Sequence, residues 1–181
     1  MSNLPVIRAL NYLARIVEAG ERGYAVCAAN VDNPGLKILF KSQAQTRASF
    51  KNEILAEIQR LGGLAKQRSS FRGILHRGRI DIFSALTVGR IEREHLVLKE
   101  ISVGEKAALR AYENTLKVDL PAETRKLVAG QQGAVQNFVE HIHLMRGKTN
   151  KCMLVRLFDR EDEVASALAR LHAANLHVES D

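Results

Sequence analysis

Leu10, Leu13, Val17, Gly20, Tyr24, Cys27 and Val31 follow one another at alternating steps of three and four over three heptads. That spacing is the seam of a helix packed against other helices; a strand would alternate every second residue. Three further segments carry helical periodicity. Leu36, Phe40, Phe50, Ile54, Ile58 and Leu61 mark a second helix from about Pro34 to Leu61. Leu98, Ile101, Ala108 and Tyr112 mark a third from about Ile91 to Lys117. Leu127, Val128, Val135, Phe138, Ile142 and Met145 mark a fourth, opening after Pro121 and ending near Arg146 and Gly147. The breaks carry start and stop chemistry. Asp32-Asn33-Pro34-Gly35 interrupts the first helix, and Pro34 suits the first position of the next. Gly62-Gly63 closes the second as a C-terminal glycine cap. Asp119-Leu120-Pro121 parts the third from the fourth.

Short links make antiparallel neighbours, so helices one and two pair, and three and four pair. The link between the pairs, residues 62–90, is long and holds a shorter helical pattern from Phe71 to Leu86. A helix of ~27 residues is ~40 Å long, and this link can run back along it. The expected fold is therefore mainly α: a ferritin-like up-down-down-up four-helix bundle over residues 1–147 with a long helical crossover. After Gly147 the pattern changes. Lys151 to Phe158 reads as a strand, Arg160 to Ala174 as a short helix capped by Asp159, and Leu176 to Val178 as a second strand. Residues 148–181 thus form a β-α-β appendage whose two strands leave unpaired edges. It should dock on the bundle or pair with the same unit of a second chain, which predicts a homodimer through residues 151–178.

Apolar residues make up 46% of the 181 and charged residues 26%, a globular balance. With 5% aromatics and no Trp, a β-sandwich is disfavoured. Cys27 and Cys152 have no CxxC partner, which fits a reducing compartment better than a disulfide framework or a zinc site. The first nine residues lack the apolar core of a secretory signal. Purely apolar runs stop at about four residues against the ~20 of a membrane span. A cytoplasmic protein is expected.

Twenty-seven Lys and Arg against twenty Asp and Glu give a net charge of +7. Between Arg60 and Arg93 eight Lys or Arg stand against Asp81 and Glu92, which places +6 of the surplus there. Arg68, Arg72, Arg77 and Arg79 form the densest part and are the candidates for salt-dependent phosphate contacts with nucleic acid. The aromatics there, Phe71 and Phe83, belong to an apolar helix face and do not offer base stacking. A solvated basic surface accounts for the same residues. Gly73-Ile-Leu-His-Arg-Gly-Arg79 is not a phosphate loop, because it lacks the Lys-Ser/Thr end and a preceding strand.

The seam positions that are not apolar fall near the middle of each helix. Gln43 and Arg47 sit between Phe40 and Phe50, Glu105 follows Leu98 and Ile101, and Gln131 lies between Val128 and Val135. Glu18 and Glu21 flank the first seam at its midpoint. Antiparallel helices of equal length bring these to one level, a polar layer in an apolar core. A di-metal carboxylate site, holding iron or manganese, would need Glu from two helices and Glu-x-x-His from the other two. Helix two contains no Glu-x-x-His, the one in helix four, Glu140 to His143, lies past the middle near the helix end, and Arg47 stands where a ligand is wanted. A guanidinium there would answer Glu21 and Glu105 instead. The expectation is a metal-free Arg–Glu–Gln network; an atypical di-metal protein using Glu18, Glu21 and Glu105 is the alternative. The six His make no zinc spacing, His141 and His143 diverge on a helix, and no Ser-His-Asp or Cys-His order stands out. No catalytic residue is therefore assigned, and Cys27 is read as a small apolar core group.

Leu10-Asn-Tyr-Leu13, Glu18-Ala-Gly-Glu21-Arg-Gly-Tyr24, Arg47-Ala-Ser-Phe50, Gly73 to Asp81, Gly104-Glu-Lys-Ala-Ala-Leu-Arg-Ala-Tyr112 and Asp119-Leu-Pro121 resemble a bacterial family of ferritin-like four-helix-bundle proteins of unknown function. The likeness spans about residues 4–146. It implies the fold already inferred and a bacterial cytoplasm, and it brings no activity. Val139 stands where the resemblance would place a His in helix four. The tail from Lys151 resembles the first half of small ferredoxin-like domains of bacterial stress-associated proteins. The function expected is a non-enzymatic, stress-related bundle protein without a cofactor.

Overall fold

The computed structural model describes residues 3–65 and 90–147, with only the backbone described for 90–93. Four helices make up nearly all of it: α1 (Leu4–Asn30), α2 (Pro34–Arg60), α3 (Arg90–Leu116) and α4 (122–147). There is no strand among the described residues. The crossover helix expected at Phe71–Leu86, the basic residues Arg68, Arg72, Arg77 and Arg79, and the β-α-β unit at 148–181 lie outside the described residues. No helix among those described is long and apolar enough to cross a membrane.

Local chemistry explains each boundary. α2 opens on Pro34, and the Asn33 side-chain Oδ1 accepts the backbone N–H of Gly35 at 2.9 Å and Leu36 at 3.3 Å. Two of the four orphan donors of a helix start are met in this way. At its other end Gly62 takes φ +78°, where a side chain would be strained. The N–H of Gly63 then reaches the Ile58 carbonyl at 2.8 Å and that of Gly62 the Gln59 carbonyl at 2.9 Å, a Schellman closure. Gly63 has a second reason to be glycine. A Cβ there would fall 2.8 Å from Cγ2 of Ile7 on α1. The turn is also tied to α1 by Asn3 Nδ2 on the Leu61 carbonyl (3.2 Å) and Asn11 Nδ2 on the Leu64 carbonyl (3.3 Å). Between α3 and α4, Arg125 donates to the Leu116 and Val118 carbonyls and closes the end of α3.

Two apolar clusters set the helix directions. One joins Val6 to Val17 of α1, Ile54 and Ile58 of α2, Ala111 and Tyr112 of α3, Leu120, and Val128 and Val135 of α4. The other joins Tyr24, Cys27 and Ala28 of α1 and Val31 just after it with Leu36 and Phe40 of α2, Val97, Leu98 and Ile101 of α3, and Phe138 and Ile142 of α4. The start of α1 therefore lies with the ends of α2 and α3 and the start of α4. α1 and α4 run one way, α2 and α3 the other. Leu10, Leu13, Phe40, Ile54, Ile58, Tyr112, Val128, Val135 and Ile142 are fully buried, and burying each such side chain is worth roughly 1.5–3 kcal/mol.

Candidate functional site

Between the two apolar clusters lies a polar floor. Arg47 of α2 is 2% exposed and Glu105 of α3 is 4% exposed. Arg47 Nη2 donates to Glu105 Oε2 at 2.6 Å, and Tyr24 Oη of α1 donates to Glu105 Oε1 at 2.5 Å. Both carboxylate oxygens are thus engaged by donors from two other helices. The guanidinium carbon also stands 5.9 Å from the Tyr24 ring centre and 5.7 Å from that of Phe50, within cation–π range. Tyr24 itself is fixed by an edge-on contact with Phe138, 5.7 Å between centres.

A second node lies one to two turns away. Gln131 of α4 is buried; its Oε1 accepts the Tyr112 hydroxyl at 3.0 Å. Its Nε2 donates to Glu53 at 2.8 Å and to the Phe50 carbonyl at 3.2 Å. The two nodes tie α1 to α3, α2 to α3, and α4 to both α2 and α3.

Proton affinities follow from this burial. Burial, and then the Glu105 charge, hold the Tyr24 phenol far above the ordinary tyrosine value. Burial likewise raises Tyr112. Burial is the largest single influence on Arg47 and would lower it, but Glu105, Tyr24 and Tyr112 together outweigh it and the guanidinium is held charged more firmly than in water. Burial, with a smaller contribution from Glu100, pushes the Cys27 thiol up to about 12.

Arg47, Glu105 and Gln131 lie in the buried layer, and the other three candidates do not. Glu18 is half-buried and pairs with Arg22 on its own helix at 2.7 Å. Glu21 is half-buried and pairs with Lys51 at 2.6 Å. Arg47 therefore answers Glu105 and not Glu21. Gln43, expected on the inward stripe, is only half-buried; Glu18 and Glu21 flank the seam, and from there a long side chain reaches the edge of the neighbouring helix instead of the axis. Tyr24, Tyr112, Glu53 and Lys51 were missed by the sequence argument. The signal for the first two was available: a tyrosine at a seam position must find a partner for its hydroxyl.

These residues do not fit a di-metal centre. Among the described residues Glu105 is the one carboxylate bonded to Arg47, and both its oxygens are taken by protein donors. Among the described residues no group of three or more His, Cys, Asp or Glu side chains could hold a metal ion.

Beside the floor, α1 and α3 stand apart and leave a groove of about 570 Å³. Arg47, Glu105 and Tyr24 form part of its base, and Gly20, Gly23 and Gly104 keep its walls low. No curated protein matches the chain. A model of a domain of unknown function, DUF2383, matches residues 5–118, which hold Tyr24, Arg47, Glu105 and Tyr112. The chain belongs to the DUF2383 family.

Proposed function

We propose that the protein is a non-enzymatic, ferritin-like bundle of up-down-down-up connectivity in which a buried ion pair stands where relatives of that fold seat two metals. Its role is binding and not turnover, in a bacterial cytoplasm and in a stress-related setting. One observation carries the reading: the 2.6 Å Arg47–Glu105 pair, with side chains 3% and 5% exposed. A guanidinium cannot ligate a metal, and a cation placed beside it would meet a like charge in a low-dielectric core.

Metal analysis of purified protein, as isolated and after exposure to ferrous and manganous ions, tests the reading. Sub-stoichiometric metal in both samples is expected. Stoichiometric retention that disappears in Glu105→Ala would overturn it in favour of an atypical di-metal carboxylate protein. The homodimer through residues 151–178 belongs to the same proposal; removal of residues 151–181 should halve the mass found by light scattering. A second reading rests on the +6 surplus between Arg60 and Arg93. It predicts a DNA mobility shift that fades with salt and is lost when Arg72, Arg77 and Arg79 are changed together; no shift at low salt removes it.

A further inference from the structure

Glycine inside a helix costs stability, so three on the walls of one groove call for a reason. Gly20 and Gly23 lie on α1 and Gly104 on α3, each well inside its helix. Among the described residues packing does not demand glycine at two of them: a Cβ at Gly23 or Gly104 would meet none of their atoms within 4 Å. At Gly20 it would make ordinary contact with Arg47 Cγ, Cδ and Nε at 3.7 Å. What the glycines preserve is the groove. Its volume of about 570 Å³ lies within the ~300–1,000 Å³ of small-molecule sites. Its lining runs from Tyr12 to Cys27 on α1, about 22 Å of helix. Spread along that length, the volume leaves a mean cross-section of about 26 Å², so the groove is long and narrow and suits an unbranched chain. Tyr12 and Val103 at its mouth are 47% and 55% exposed.

The floor selects the chemistry of the occupant. Arg47 and Glu105 cancel each other's charge. A carboxylate ligand would face Glu105, and an ammonium would face Arg47. Both oxygens of Glu105 and the hydroxyl of Tyr24 are already engaged. Arg47 carries five N–H donors; among the described residues Nη2 serves Glu105 and the Tyr24 side chain takes a further contact, so not all five are used. The spare capacity at the floor is thus for a hydrogen-bond acceptor, without charge. Among few precisely placed polar groups in an apolar cleft, this is what fixes orientation.

We infer that the α1/α3 groove binds a neutral, single-chain apolar molecule bearing a carbonyl, and that Arg47 donates to that carbonyl. The inference rests on the same Arg47–Glu105 pair as the proposed function: absent ketone binding in metal-free protein sinks the inference alone, whereas stoichiometric metal at Glu105 sinks both.

Calorimetric titration of the full chain with 2-undecanone tests it, against undecanoate and undecylammonium as charged analogues of the same length. Saturable one-to-one binding is expected for the ketone, at least tenfold weaker for either charged analogue. Gly104→Leu and Gly23→Leu place a side chain in the groove and should weaken ketone binding at least tenfold while raising the melting temperature. Gly133→Leu on α4, where a Cβ also meets no atom of the described residues within 4 Å, is the control: a comparable rise in melting temperature with binding unchanged. The inference is overturned by no saturable ketone binding up to its solubility limit. It is equally overturned if undecanoate binds as tightly, or if the groove variants bind as the wild type does.

Discussion

Removing Glu105 exposes how the floor is held together. At 2.6 Å and an effective dielectric constant near 20, the attraction between Arg47 and Glu105 is about 6 kcal/mol. Desolvating two ions costs several kcal/mol each, so the pair as a whole is near break-even against apolar side chains of similar size. The single change Glu105→Leu loses the attraction but keeps the desolvated guanidinium, at a cost of about 3–5 kcal/mol. It also strips the Tyr24 hydroxyl of its acceptor, for which about 1–3 kcal/mol is typical. Arg47→Met leaves Glu105 with its Tyr24 bond alone and should cost about 3–5 kcal/mol. The triple change Arg47→Met, Glu105→Leu, Tyr24→Phe removes every polar partner together. It should return to within about 2 kcal/mol of wild type or exceed it. Urea unfolding at pH 7 followed by circular dichroism at 222 nm measures all four proteins, with equal m-values as the check on two-state behaviour. With a total stability of about 5–15 kcal/mol, single variants can approach the unfolding threshold, and the triple variant then remains measurable. Single changes costing under about 1 kcal/mol, or a triple as unstable as the singles, would refute the account of a charge-balanced floor.

Three other outcomes follow from geometry already described. Cys27, Tyr24 and Tyr112 hold their protons more tightly folded than unfolded, so their contribution is intact below pH ~8.5 and is lost as pH rises toward the folded values. Stability should fall above pH ~9 by about 1.4 kcal/mol per pH unit for each group the unfolded chain has deprotonated; urea midpoints from pH 7 to 11 show it, and a flat profile would contradict it. In a Cys152→Ser background, Cys27 should resist a thiol-labelling reagent at pH 8 in the native protein and react fully in guanidinium, as read by mass spectrometry. Gly63→Ala drives a methyl to 2.8 Å from Ile7 Cγ2 and 3.0 Å from Ile58 Cγ2; a loss of about 1–3 kcal/mol in denaturant unfolding is expected, partly recovered by adding Ile7→Val.

Much of the bundle is legible because its signals are local. Asn33-Pro34 and Gly62-Gly63 carry their turn chemistry in adjacent residues, so the helix ends were readable within a residue or so. Arg47, Glu105 and Gln131 were readable for a different reason: each interrupts an apolar stripe at seam spacing. Glu18 and Glu21 were not, because a position beside the seam can turn either inward or to the rim. Lys51 decided for Glu21, and its reach across to α1 is a tertiary fact. Tyr24 and Tyr112 counted as apolar in the periodicity, which hid their hydroxyls. The groove was hidden altogether. Gly20 reads as an ordinary small seam residue, and the separation of α1 from α3 depends on the packing of both against the other helices.

The position of the ion pair midway along the core also constrains sliding. A helix in an all-apolar bundle can shift by one turn, about 5.4 Å, and exchange one Leu or Val contact for another. Here such a shift of α2 against α3 would drag two opposite charges apart inside a dry interior, leaving each alone. The polar floor works as a detent: it contributes little to the depth of the native energy well, yet it singles out one axial alignment among several that oily side chains would tolerate.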